Sequence, residues 1–179
     1  MTATQQDTWY EVVEGGTLEQ GDILFQCPVS VLVSKTIPSS PEGRVEVDIQ
    51  TIDVIVMTQS CDLENDKTSD VVLCAHWDVE NAKQQGLPVG KKDALPEIQK
   101  GRRPRYTLLN RCALVNPSLD LRIVDCGRVF CLPFSYVQEL AIQQGPRLRL
   151  RSPYREHLSQ AFARFFMRVG LPQDINLNP

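Results

Sequence analysis

A four-residue apolar run, Val54-Ile-Val-Met57, opens directly into Thr58-Gln-Ser-Cys-Asp62. The run reads as a buried strand. The polar cluster is its exit, with a thiol and a carboxylate side by side. Whatever this chain folds into must wrap other elements around that strand.

The neighbouring segments are also of strand length. Trp9–Val13, Asp22–Phe25, Val29–Ile37 and Val45–Ile49 precede the central run; Val71–Trp77, Tyr106–Val115, Leu121–Leu132 and Arg147–Arg151 follow it. Val45–Ile49 alternates strictly, as a half-buried strand does. Alternation in Val71–Trp77 sets Val72, Cys74 and His76 on one face and Val71, Leu73, Ala75 and Trp77 on the other. Pro28 marks a strand end or an edge, because proline donates nothing to a ladder. Gly127 marks a bulge or bend. Arg147-Leu-Arg-Leu-Arg151 reads as an edge strand with its arginine row outward.

Helical signals cluster in two places. Val79–Gln85, stopped by Gly86, and Asp93–Gly101 form short helices in an insertion over 78–105, which lies across one end of the sheet. Ser135 and Gln138 read as a capping box for a helix over Tyr136–Gln144, with Gly145 as its stop. The last helix, over 152–170, takes Ser152 as N-cap and Pro153 as first residue. Leu158, Phe162, Phe165, Phe166 and Val169 form its apolar stripe, opposite Gln160, Arg164 and Arg168.

The sum is one α+β domain over 1–179, with residues 1–8 flexible. Its core is a small bent antiparallel β-sheet or SH3-like barrel, completed by the helical insertion and the C-terminal amphipathic helix. No apolar run approaches the about 18 residues that a membrane span needs. The first residues carry no basic, apolar leader. The expectation is a cytoplasmic protein with no membrane attachment.

Six cysteines are spread through the chain without a CxxC pair, which in a reducing compartment points to free thiols. Two chemistries remain open to them. Cys61 is a candidate nucleophile with His76 as its base; Asp62 opposes it, since a neighbouring negative charge disfavours the thiolate. Cys27, Cys61, Cys74 and His76 together make a Cys3His donor set of the kind zinc accepts, provided three strands converge. The structural alternative packs Cys61 inward and uses Asp62 to shape a turn. No cofactor is otherwise called for.

The net charge of −3 conceals a division. Residues 1–99 sum to −11 and residues 100–168 to +9, with 12 of the 13 basic residues in the second stretch being arginine. Arg102, Arg103, Arg105, Arg147, Arg149, Arg151, Arg164 and Arg168 are the candidate contacts for a phosphate-bearing or acidic partner, because guanidinium forks match such groups. Tyr106, beside the basic loop, is placed to stack on a base. Compensation between acidic and basic surfaces of one fold accounts for the same division without a partner. A homo-oligomer stays open.

Two resemblances rest on particular residues. Gly21-Asp-Ile23 with Cys27-Pro28, Val54-Ile-Val-Met-Thr-Gln-Ser-Cys-Asp-Leu63 and Ser152-Pro-Tyr-Arg-Glu-His-Leu-Ser-Gln-Ala-Phe-Ala-Arg-Phe-Phe-Met-Arg-Val-Gly-Leu-Pro172 together resemble a bacterial family with no assigned activity. Residues 18–78 more remotely resemble the PemK/MazF-like toxin ribonucleases, which begin with a Gly-Asp-Ile strand and continue with an apolar strand ending in a small polar residue. That resemblance implies an SH3-like barrel and a bacterial toxin or phage-defence setting. The Arg-Pro that serves RNA cleavage in that family is replaced here by Thr51-Ile-Asp53. The expected function is therefore a non-catalytic binding or accessory module for a protein or nucleic acid, engaged through the arginine-rich half. The alternative is an enzyme, either a ribonuclease of that type or a Cys61-dependent hydrolase.

Overall fold

The structure is a computed structural model and describes residues 8–33, 45–65, 67–115 and 118–167. It is an α+β fold with seven strands and five helices in the described residues. The strands are β1 (Tyr10–Val13), β2 (Ile23–Leu32), β3 (Val47–Val56), β4 (Asp70–Asp78), β5 (Tyr106–Leu109), β6 (Arg122–Pro133) and β7 (Arg147–Leu150). The helices are α1 (Ser60–Glu64), α2 (Val79–Gln84), α3 (Ala94–Gln99), α4 (Phe134–Gln144) and α5 (Tyr154–Phe166). Strands β2-β3-β4-β6-β5 form one antiparallel sheet and β1-β7 a separate antiparallel ribbon. Of the two shapes expected, the open sheet holds; no closed barrel forms among the described residues.

The central run sits where its composition requires. Val54, Ile55 and Val56 are fully buried on β3, between β2 and β4. Alternation then divides the interior into two cores. One face carries Val54, Val56, Leu73, Ala75 and Trp77 and is covered by α2, α3 and α4 through Ala82, Ile98, Val137 and Ala141. The other carries Ile55, Cys74 and Val124 and is covered by the ribbon and α5 through Tyr10, Leu148, Leu150 and Leu158.

Two expected pairs of strands are single longer strands, the second being Val45–Ile49 and the central run, which are continuous in β3 (Val47–Val56). The strands expected over 22–25 and 29–37 meet within β2, Ile23–Leu32, because a bulge absorbs the break: Leu24 pairs with Val54 and Cys27 with Ile52, so Phe25 and Gln26 face Asp53 alone, while 34–37 lie outside the described residues. Gln26 has a positive φ of 49° and gives its N–H to Asp53 Oδ1 at 3.0 Å. Pro28 is tolerated because β2 is an edge strand. Gly127 does lie in a bulge, where β6 slips between its Cys74–Val129 and Ala75–Asp125 pairings with β4.

The largest departure concerns β7. Its arginine row points inward, not outward: Arg147 and Arg149 are 2% and 6% exposed. Both reach Asp22, which is 0% exposed. Arg147 Nε lies 3.0 Å from Asp22 Oδ2, and its other nitrogens donate to the carbonyls of Gly15 and Thr17. Arg149 bonds both Asp22 oxygens, the Thr17 carbonyl and Glu19 Oε1. Burial disfavours the Arg149 charge, but Asp22 and then Glu19 outweigh it and hold the guanidinium above its ordinary pKa. Gly21 and Asp22 also bridge the two sheets by main chain: Gly21 N–H donates to Val56 O, Val56 N–H to Asp22 O and Leu150 N–H to Gly21 O. Gly21 has φ +90°, and a Cβ there would stand 2.9 Å from Leu150 Cβ. The Gly-Asp-Ile segment is thus a structural clasp.

The helix ends also differ from expectation. No side-chain cap bonds form at α4 or α5, which follow Pro133 and Pro153. Gln138 donates instead to the Gly16 carbonyl, and Gly145 does end α4. On α5 the apolar stripe is buried at Leu158 and fades until Phe166 is 58% exposed. Val169 lies outside the described residues.

Removing one partner of a buried ion cluster strands the others. Asp22→Ala is expected to cost about 3–5 kcal/mol in urea unfolding, whereas Arg111→Ala, whose pair with Asp120 is exposed, is expected to cost under about 1 kcal/mol.

A candidate binding groove at a sheet edge

The thiol and imidazole chemistry predicted from sequence does not assemble. Cys61 lies exposed on α1, its Sγ 3.7 Å from Gln59 Oε1 and 3.8 Å from Asp62 Oδ1. The polar residues around it have structural duties. Thr58 Oγ1 accepts the Val72 N–H at 2.7 Å, and Ser60 Oγ accepts the Gln20 N–H at 3.2 Å. His76 shares its face with Cys74 as alternation predicts, but it is 0% exposed. Neither ring nitrogen has a hydrogen-bond partner of good geometry. Burial, reinforced by the Arg122 charge and weakly opposed by the main chain of Val54, lowers its pKa to about 3. A sealed, neutral imidazole does not serve an exposed thiol as base.

The Cys3His set also stays apart. Cys27 packs in the first core and Cys74 in the second, so the sheet separates them. No group of three or more His, Cys, Asp or Glu side chains among the described residues is arranged to hold a metal. Burial raises the Cys27 pKa to about 11; burial and then the Asp125 carboxylate raise Cys126 to about 12, and Cys74 goes higher still. These thiols are inert packing groups at neutral pH.

The predicted arginine face divides three ways. Arg147 and Arg149 belong to the interior clasp, so they are withdrawn from any partner surface. Arg105 forks onto buried Asp125 at 2.7 and 2.8 Å, and Cys126 N–H donates to its carbonyl, which fastens the basic loop to β6. Arg151 is half-buried at the end of β7. Arg102, Arg103 and Arg164 remain at the surface; Arg102 touches Glu97 and Arg103 the Pro88 carbonyl. Arg168 lies outside the described residues.

Arg164 lines a groove that the loop of Arg102 and Arg103 reaches through Gly101 and Pro104. Two adjoining hollows, of about 350 and 240 Å3, share Ile98, Gln99, Thr107 and His157. The upper one touches Thr107, Leu108, Leu109 and Asn110 in succession. Neighbouring strand residues point to opposite faces, so a hollow that touches four in a row lies against the strand's edge. β5 is the outermost strand of its sheet. α3 rises on one side of that edge and α5 on the other, since Ile98 and Leu158 belong to opposite cores. The apolar end has Leu121, Leu158 and the Trp9–Tyr154 stack at 3.9 Å; the polar end has Gln160, Arg164, Gly101 and Pro104. Lys100, Arg102 and Arg103 flank Gly101 on the same loop. Lys100 and Arg164 have no carboxylate partner among the described residues.

Comparison with family models and with curated proteins finds no match.

A larger hollow of about 680 Å3 lies beside Phe25 and Arg122, and most of its polar groups are engaged within the fold, although the buried Arg122 Nε has no hydrogen-bond partner among the described residues. Asp53 takes the Gln26 N–H and lies 3.2 Å from Arg122, which is stacked on Phe25, while the Gln144 amide clasps the N–H and carbonyl of Phe25. Its rim also includes Val115 and Ser118, which adjoin residues outside the described set. The groove is therefore the stronger site. His157, Gln160 and Trp9 were not singled out from sequence as site residues. His157 is exposed one residue before buried Leu158, and only the crossing of α5 over the sheet edge gives that position meaning.

Two measurements follow from these placements. Native iodoacetamide labelling is expected to modify Cys61 and Cys131 and to spare Cys27, Cys74, Cys112 and Cys126, as counted by mass spectrometry. His76 binds its proton less readily folded than unfolded, so its contribution to stability is complete above an unfolded pKa of about 6.5 and is lost as pH falls toward about 3. In urea titrations from neutral to acid pH, His76→Leu is expected to flatten that part of the decline.

Proposed function

We propose that the chain is a non-catalytic cytoplasmic binding module that engages an acidic partner through the groove along β5. The observation that carries this reading is the edge of β5, which pairs with no further strand among the described residues and lies in a hollow lined by Arg164 and by Gly101 and Pro104 of the loop that carries Lys100, Arg102 and Arg103. After the inward Arg147 and Arg149 are subtracted, Arg164 and the loop carrying Lys100, Arg102 and Arg103 remain accessible on or beside this groove. Like-charged side chains so arranged attract an oppositely charged partner over roughly a Debye length, about 10 Å at moderate salt.

Nothing in the groove supplies a nucleophile paired with a base. Its one imidazole, His157, sits against the Tyr154 ring at 6.2 Å, and Cys61 is not among its lining residues. The bacterial toxin or phage-defence setting implied by the resemblance accommodates such a module as an accessory partner.

Retention on immobilised heparin tests the reading. The wild-type chain is expected to bind at low salt despite its net charge of −3, and to elute as salt rises. Lys100→Glu/Arg102→Glu/Arg164→Glu is expected to flow through, with its circular dichroism unchanged because these positions are exposed. Cys61→Ala is expected to behave as wild type. A wild-type chain that is not retained at low salt, or a triple variant retained as well as wild type, contradicts the proposal.

A further inference from the structure

The phase of the β5–β6 ladder identifies which main-chain groups face the groove. Tyr106 pairs with Asp125 and Thr107 with Val124, so Arg105 stands opposite Cys126. Cys126 N–H donates to Arg105 O at 2.8 Å, which makes 105/126 a hydrogen-bonded pair. Such pairs alternate along an antiparallel ladder. Thr107 and Leu109 therefore bond to β6, while the main-chain groups of Tyr106, Leu108 and Asn110 point away from it. Two of these are already engaged from outside: Tyr106 N–H donates to Arg103 O, and Asn110 O accepts from Tyr10 Oη. Of the three, Leu108 alone keeps both its N–H and its carbonyl without an outside partner among the described residues, at the centre of the edge and on the wall of the upper hollow.

We infer that the groove takes an extended acidic peptide segment as an added strand, with one peptide residue exchanging both main-chain hydrogen bonds with Leu108. This rests on the basic-groove reading and names its occupant. Two features select a peptide over a phosphate polymer. A strand edge offers a donor and an acceptor at fixed spacing, which is what a peptide backbone supplies. The hollow at the Leu158 end is apolar, and the aromatic rings nearest it, Trp9 and Tyr154, are stacked on each other, not presented singly to bases. Alternate residues of an added strand point toward opposite walls. One set meets Ile98 and Gln99 on α3; the other meets α5, where Arg164 awaits a carboxylate at one end and Leu158 an apolar side chain at the other. The recognised segment thus carries an acidic and an apolar residue on the same side of an extended chain.

A random linear-peptide display library selected on the wild-type chain, with Arg164→Glu as counter-selection, tests this. Enriched peptides are expected to place Asp or Glu at an even spacing from an apolar residue. N-methylation of the central residue of a synthetic selected peptide is expected to weaken binding by about tenfold or more in fluorescence anisotropy, and Arg164→Glu to weaken it comparably. Heparin retention with no enriched peptide, or tighter binding of oligouridine RNA than of any selected peptide, overturns the added-strand inference and leaves the basic groove standing. Equal binding of the N-methylated peptide also overturns it. Absent heparin retention removes both.

Discussion

The fold turns on one buried carboxylate. Asp22 accepts from two arginines of β7 while its main chain joins the five-stranded sheet to the ribbon. Isolated, either arginine would be costly to bury; together with Asp22, Glu19 and the carbonyls of Gly15 and Thr17, their donors are largely satisfied. Hydrophobic contacts alone would allow the ribbon to slide on the sheet. The forked geometry permits one placement.

That placement reaches the groove. Glu19 accepts from Arg149 on β7 through one oxygen and from Arg155 on α5 through the other at 3.0 Å. The ribbon begins next to Trp9, which stacks on Tyr154 at the start of α5. α5 is therefore positioned by the same cluster that docks the ribbon, and α5 supplies one wall of the groove. The opposite wall, α3 and the basic loop, is fixed by Arg105 on buried Asp125. Two buried aspartates, Asp22 and Asp125, each bound by arginine, thus hold the two walls on either side of the β5 edge.

Strand positions, the two faces of β4, the insertion helices and the Gly127 bulge were legible from the sequence, because period and turn residues report local geometry. The orientation of Arg147 and Arg149 was not. An Arg-Leu-Arg-Leu-Arg run alternates equally well in either sense, and the choice depends on Asp22, 125 residues earlier than Arg147. Cys27, Cys74 and His76 looked like a site because their residue types suit one; the sheet places Cys27 across from the other two. Phe25 and Gln26 hid the continuity of β2, since a bulge breaks alternation without ending a strand. The groove was half legible: the basic loop stood out, but its meeting with His157 and Arg164 arises from α3 and α5 passing opposite faces of the same edge.

Amide hydrogen exchange at Leu108 bears most directly on the claim that this edge is open and receives a partner's backbone. In the free chain the Leu108 amide is expected to exchange far faster than those of Thr107 and Leu109, which bond to β6. A bound acidic peptide is expected to slow it toward theirs. A Leu108 amide already protected in the free chain, or one whose exchange a bound peptide leaves unchanged, would contradict the account.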